Sequence, residues 1–148
     1  MRILLATDGS AYSEAAVEEL ASRPVPVESQ VLVISVFETP SFPLAFPWAG
    51  VDFEDQKRQT AGAAVERALA RLKAGSESRK LEITSKVLSG SPKRVILEEA
   101  DAFGANLIMV GSHGRGAWDR MLLGSVSQAV AAHAKCSVEI VRSSKLST

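Results

Sequence analysis

Two hydrophobic rhythms alternate along this chain. Ile3-Leu4-Leu5-Ala6 is a short unbroken apolar run, the pattern of a strand buried on both faces. Ala16, Val17, Leu20 and Ala21 then recur at helical spacing. Ser10 stands where that helix needs a cap, and Pro24 and Pro26 end it. Val31-Leu32-Val33-Ile34-Ser35-Val36 is a second buried run, rich in β-branched residues. Ala61, Ala64, Val65, Ala68, Leu69 and Leu72 form one stripe and predict a long helix over about 52–74, with a break at 75–79. Leu81, Ile83, Ser85 and Val87 alternate with Glu82, Thr84 and Lys86, so the next strand turns one face to water. Ser91-Pro92 pairs a cap with proline at the first helical position. Val95, Ile96, Ala100 and Phe103 are that helix's buried face, and Gly104 ends it. Residues 106–110 carry no charge and read as a strand. A last helix starts near Ser125 with Val126, Ala129 and Val130 inward and His133 on the same spacing, which makes His133 structural. The final strand is 137–141.

The order is β-α-β-α-β-α-β-α-β. Buried strands alternating with amphipathic helices predict an α/β fold, a parallel sheet covered on both faces. One stretch breaks the rhythm. Residues 39–50 hold three of the six prolines, with Phe42, Phe46 and Trp48 between them, and are expected to form a long loop or flap. Residues 142–148 form a polar tail.

Composition narrows the class of protein. The 148 residues suit one domain with a real core. The 46% apolar and 23% charged fractions are those of an ordinary globular chain, and the formal net charge of zero calls for neither nucleic acid nor an anionic membrane. Cys136 is the one cysteine, so no internal disulfide forms, which agrees with a reducing compartment. The opening MRILLATDGS departs from a signal peptide, because Asp8 follows an apolar run of only a few residues. No stretch approaches the roughly 20 apolar residues of a membrane helix. A cytoplasmic location is expected.

The chemistry concentrates in residues 111–127, GSHGRGAWDRMLLGSVS, where four glycines and three serines leave the carboxyl end of the fourth strand. Asp8-Gly9-Ser10 leaves the carboxyl end of the first. In an open parallel sheet, ligands bind beyond the carboxyl ends of the strands where the strand order reverses. If the first and fourth strands are neighbours there, both loops line one crevice. Glycines permit positive φ and close backbone approach, successive amides can face an anion, and a helix opening at Gly124-Ser125 favours phosphate. Ser125 and Ser127 add hydroxyl donors. The alternative is a glycine-rich turn with an N-cap and no ligand. The stretch is neither a Walker A loop nor a G-x-G-x-x-G fingerprint.

The spacing Gly111, two residues, Gly114, nine residues, Gly124-Ser125 is G-x2-G-x9-G-[S/T]. With ILLATDGS, Ser13, NLIMVGSHGRG, GSVS and HAKCSVEIV, it resembles the ATP-binding subgroup of the universal stress protein family over nearly the whole chain. The resemblance implies an open five-stranded parallel sheet of order 3-2-1-4-5, Rossmann-like and similar to the adenine nucleotide alpha hydrolases. It implies phosphate and ribose contacts at Gly111, Gly114, Gly124, Ser125, Val126 and Ser127, and Asp8 beside the nucleoside. Ala6 and Val36 are expected at the adenine slot, with Val36 offering backbone hydrogen bonds, and Thr7 and Arg115 are expected among the other ATP-binding residues. A Mg²⁺ or Mn²⁺ ion would bridge the phosphates, held mainly by phosphate and water. The resemblance also implies a homodimer through strand 137–141, although Ser137 and Glu139 stand where the family has proline and an apolar residue, and a charge on an edge strand discourages pairing.

Other residues admit two readings each. Asp8 serves nucleoside recognition or an Asx turn. His113 and Arg115 reach phosphate or lie in water. Trp118 and Met121 pack the loop or meet a partner. Cys136 reads as a packed small residue. No Ser-His-Asp/Glu arrangement, Cys/His metal spacing or Walker lysine is assignable, so binding chemistry is evident and turnover chemistry is not. The expected function is a nucleotide-dependent regulatory module acting on a protein partner in a stress response. The alternatives are a nucleotide-independent interaction protein or a very slow ATPase.

Overall fold

The computed structural model describes residues 1–39, 47–74, 76–115 and 123–143, without the side chains of 47–51, 77 and 78. The expected 40–46 segment of the flap, Trp118, Met121 and most of the polar tail lie outside the described residues.

Five strands, β1 (Arg2–Ala6), β2 (Gln30–Phe37), β3 (Glu82–Ser89), β4 (Leu107–Gly111) and β5 (Ser137–Val141), form one parallel sheet in the order β3-β2-β1-β4-β5. This is the expected 3-2-1-4-5. β1 is central because its side chains are buried on both faces. Ile3 and Leu5 join one cluster with Val31, Val33 and Met109, while Leu4 joins the other with Leu32, Ile34 and Ile108. Successive strand residues point to opposite faces, so an unbroken apolar run serves both layers.

The first layer is covered by α1 (Ala11–Ser22), through Ala16, Val17 and Leu20, and by α2 (Pro47–Lys73), through Val65, Ala68 and Leu72. The second is covered by α4 (Pro92–Phe103), through Ile96 and Ala100, and by α5 (Ser125–His133), through Val130. The caps are local. The Ser10 hydroxyl accepts the Ser13 N–H at 3.2 Å. Gly104 closes α4 with φ 66°, a conformation that favours glycine. Ser91 caps α4 with its carbonyl, which accepts from Arg94 and Val95, and not with its side chain.

Three expectations are corrected. α2 begins at Pro47, so residues 47–50 belong to a helix and not to the loop; proline is tolerated in the first helical turn because that N–H has no intrahelical partner. The break at 75–79 contains a short helix, α3 (Ser76–Arg79), whose Arg79 guanidinium donates to the carbonyls of Leu20 and Arg23 at the end of α1. His133 is exposed and turns its Nδ1 to the Ala129 carbonyl at 2.9 Å, so helical spacing did not bring it into the core.

Candidate functional site

β1 has β2 on one side and β4 on the other, and connections leave these two pairings in opposite directions. The loops after β1 and β4 therefore meet at the carboxyl edge of the sheet. Asp8 joins them. Its Oδ1 accepts the Ser10 N–H at 2.9 Å, which forms the Asx turn. Its Oδ2 accepts the Arg115 N–H at 3.0 Å, and Arg115 Nε donates to the Asp8 carbonyl at 2.7 Å. Partial burial pushes this carboxyl up, but hydrogen bonds from Ser10, Ser13 and Arg115 outweigh it and hold the group below the ordinary aspartate value. A layer of buried hydroxyls lies beneath. Thr7 and Ser13 share a bond at 3.1 Å, and the Asp8 N–H donates to Ser13 Oγ at 3.3 Å.

The glycines work by proximity. A Cβ at Gly111 would lie 2.5 Å from the Tyr12 carbonyl carbon and 2.7 Å from the Ser13 nitrogen, so the end of β4 runs against the first turn of α1. At Gly114 it would meet Asp8 Oδ2 at 3.0 Å, and at Gly124 the His113 Cα at 3.1 Å. None of these three has positive φ; among the described glycines that conformation occurs at Gly9, Gly90 and Gly104. The Ser127 hydroxyl is also committed. It is 2% exposed and donates to the carbonyls of Ser112 and Gly124, at 3.0 and 2.9 Å, fixing the start of α5 to the end of β4.

A cavity of about 540 Å³ opens over this junction. Ala6, Thr7, Asp8, Val36, Gly111, Gly114, Arg115, Ser125 and Val126 all line it, as does His113; Gly124 and Ser127 are not among its described lining residues. One end is apolar, with Ala6, Val36, Val110 and Ile96 on its walls. The backbone of Val36 also faces this end. The Thr7 N–H donates to the Ile34 carbonyl at 2.9 Å, and alternate residues of a parallel strand turn their polar groups the same way. Val36, two beyond Ile34, directs its N–H and C=O past the end of β1. The other end is polar, where Gly114, Arg115 and Ser125 meet the opening of α5. The first N–H groups of a helix have no intrahelical partner, and its dipole favours an anion there. The arrangement offers apolar walls at one end and helix-opening N–H groups at the other.

The cavity does not provide a protein cage for a divalent ion. Among the described residues no three His, Cys, Asp or Glu side chains are grouped to hold one, and both Asp8 oxygens already accept N–H groups. A Mg²⁺ or Mn²⁺ ion held chiefly by protein side chains does not fit these residues; oxygens of a ligand and water would have to supply its shell.

Comparison with known proteins identifies the lineage of this architecture. The model of the universal stress protein family matches residues 1–142. The chain belongs to the universal stress protein family. A universal stress protein of Mycobacterium tuberculosis is 34% identical over 146 residues, covering 95% of this chain and 48% of that protein. The chain thus spans about half the length of the mycobacterial relatives it matches. Among solved structures, universal stress protein UspA of Lactobacillus plantarum superposes with a TM-score of 0.79 at 20% identity, covering 96% of this chain and 97% of that one. A family protein of Arabidopsis thaliana with AMP bound gives 0.67 at 17% identity, over 100% and 96% of the two chains. A universal stress protein in complex with cAMP gives 0.61 at 23%, over 96% of both. At these identities the likeness establishes the fold.

The universal stress protein signature covers one wall of the cavity. The opposite wall comes from α2, where Phe53, Gln56, Lys57 and Thr60 line the space with the Glu38 backbone nearby. Sequence reading missed these residues. Their spacing carried a signal, because they continue the Ala61–Ala64–Ala68 stripe upward by helical steps, beyond the edge of the sheet. Among the described residues no helix is long and apolar enough to cross a membrane.

Proposed function

We propose that this universal stress protein binds an adenine nucleotide, ATP among them, across the carboxyl edge of its sheet. The base takes the apolar end between Ala6 and Val36, Asp8 meets the ribose side, and the phosphates lie along Gly111, Gly114, Arg115 and the start of α5. The observation that carries this reading is the joining of an apolar slot and an anion seat in one cavity by the Asp8–Arg115 contact. AMP and cAMP in two solved members of the fold support it. Binding alters the surface offered to a protein partner, which makes the nucleotide a regulatory signal in the stress response. Mg²⁺ or Mn²⁺ accompanies the phosphates through their own oxygens and water.

The reading extends to a cytoplasmic single-domain homodimer paired through β5. Arg23 at the end of α1 forms an ion pair with Glu139, so the charge that would discourage edge pairing has a partner within its own chain. Light scattering at micromolar concentration would read twice the chain mass, and a monomer would remove this part.

Nucleotide binding is tested by mass spectrometry of small molecules released from freshly purified protein, followed by calorimetry with ATP and Mg²⁺. Co-purifying or titratable nucleotide is expected. Its absence by both methods would leave the glycines as packing devices only.

A further inference from the structure

The α2 wall contains an aromatic ring whose position the family signature does not explain. Phe53 is 40% exposed, a large apolar side chain at the mouth of the cavity. Two contacts place it at the apolar end. Lys57, one turn further on, holds its ammonium 5.1 Å from the Phe53 ring centroid. The same ammonium donates to the Glu38 carbonyl at 3.1 Å. This clamps the first described turns of α2 against the end of β2, two residues beyond Val36. Across the space stand Pro92 and Ile96 of α4. The gap between Phe53 and α4 therefore lies at the end of β2, where Val36 lines the cavity.

We propose that Phe53 is a specificity-determining residue that stacks on a flat heteroaromatic base and closes the apolar end of the cavity. This rests on the nucleotide reading above and adds a basis for selectivity to it. Aromatic stacking accepts any π-face, while a saturated group of equal size gains only contact area. Lys57 keeps the ring in place through its cation–π contact and its bond to Glu38, and α2 makes the ring part of a rigid element. The ligand class is a nucleoside phosphate held by stacking at one end and by backbone donors at the other.

Calorimetry with ATP and with AMP on the full chain tests this, comparing wild type, Phe53→Leu and Phe53→Trp, with thermal melting as the check on folding. Phe53→Leu should weaken ATP and AMP by the same factor, about tenfold, because the base is common to both. Phe53→Trp should bind within about twofold of wild type and show indole fluorescence quenched by either nucleotide. Unchanged affinity in a folded Phe53→Leu protein overturns the assignment while leaving nucleotide binding intact. Loss for ATP alone also overturns it, since that would place the ring at the phosphate end. A wild-type protein that binds neither nucleotide removes both readings together.

Discussion

The two walls of the cavity are made of different parts of the chain. The wall formed by β1, β4 and α5 is largely backbone: glycines at 111 and 114, and a helix opening at Ser125. The facing wall, from α2, is side chains: Phe53, Gln56, Lys57 and Thr60. The backbone wall is also part of the fold's frame, because its glycines let strands, turns and helices approach one another. The side-chain wall rises past the sheet edge and meets the frame at its base and through the Lys57 contact with the Glu38 carbonyl. Substitutions should therefore cost folding on the first wall and selectivity on the second.

Gly111 gives the strongest test of that division. A methyl group there would press on Tyr12 and Ser13 backbone at distances that no rotamer change relieves. Gly111→Ala should destabilise the protein by about 2–3 kcal/mol and lower its thermal midpoint by roughly 5–10 °C. Nucleotide affinity should fall with it. Urea unfolding gives the answer, and a midpoint equal to wild type would show that Gly111 is not part of the frame.

The same division explains what could be read in the sequence. Buried strands were legible because unbroken apolar runs such as Ile3-Leu4-Leu5 fit a strand covered on both faces, and alternation with helices then fixes a parallel sheet. The glycine wall was legible because backbone proximity demands one residue type at fixed spacing. Its mechanism was less so: Gly111, Gly114 and Gly124 resemble positive-φ positions in sequence, and only the positions of Tyr12, Asp8 and His113 show that they relieve crowding. Ser127 looked like a ligand donor because a hydroxyl's partner is a tertiary fact; here it is the Ser112 carbonyl. The α2 wall was hidden by its mixed composition. A phenylalanine, a glutamine, a lysine and a threonine share no chemistry, and helical phase alone unites them. Pro47 reads as part of a loop in sequence because prolines at 40 and 43 precede it, although a first-turn proline fits a helix equally well.

Asp8 belongs to the backbone wall, and its contribution carries a sign in pH. Its folded value lies below the ordinary one, so between the two values the unfolded chain binds more protons and stability rises with pH. The stabilisation is complete above the unfolded aspartate value of about 3.9 and is lost as pH falls through the folded value. Asp8→Asn keeps the shape but turns an amide NH₂ toward the N–H of Ser10 or of Arg115. It should cost about 1–2 kcal/mol at neutral pH, with the gap to wild type narrowing in acid. Urea midpoints measured across the acid range would decide, and a gap independent of pH would assign the loss to something other than the carboxylate.

Gly114 and Lys57 face each other in kind and should sharpen the contrast at its weakest point. At Gly114 the intruding methyl meets a carboxylate oxygen at 3.0 Å, a neighbour that can give by a few tenths of an ångström. Gly114→Ala should therefore cost under about 1 kcal/mol of stability while weakening ATP by roughly tenfold, as the added methyl narrows the proposed anion end of the cavity. Lys57→Met removes an exposed ammonium whose contacts are the Glu38 carbonyl and the Phe53 ring. Its stability should stay within about 0.5 kcal/mol of wild type. Its ATP affinity should fall only about threefold at low salt, with the difference closing as salt screens the charge. Calorimetry at two salt concentrations separates these outcomes. A Lys57 variant that unfolds more readily than Gly114→Ala would mean that the Phe53–Thr60 stretch of α2 supports the frame as its later turns do, and the two walls would no longer differ in kind.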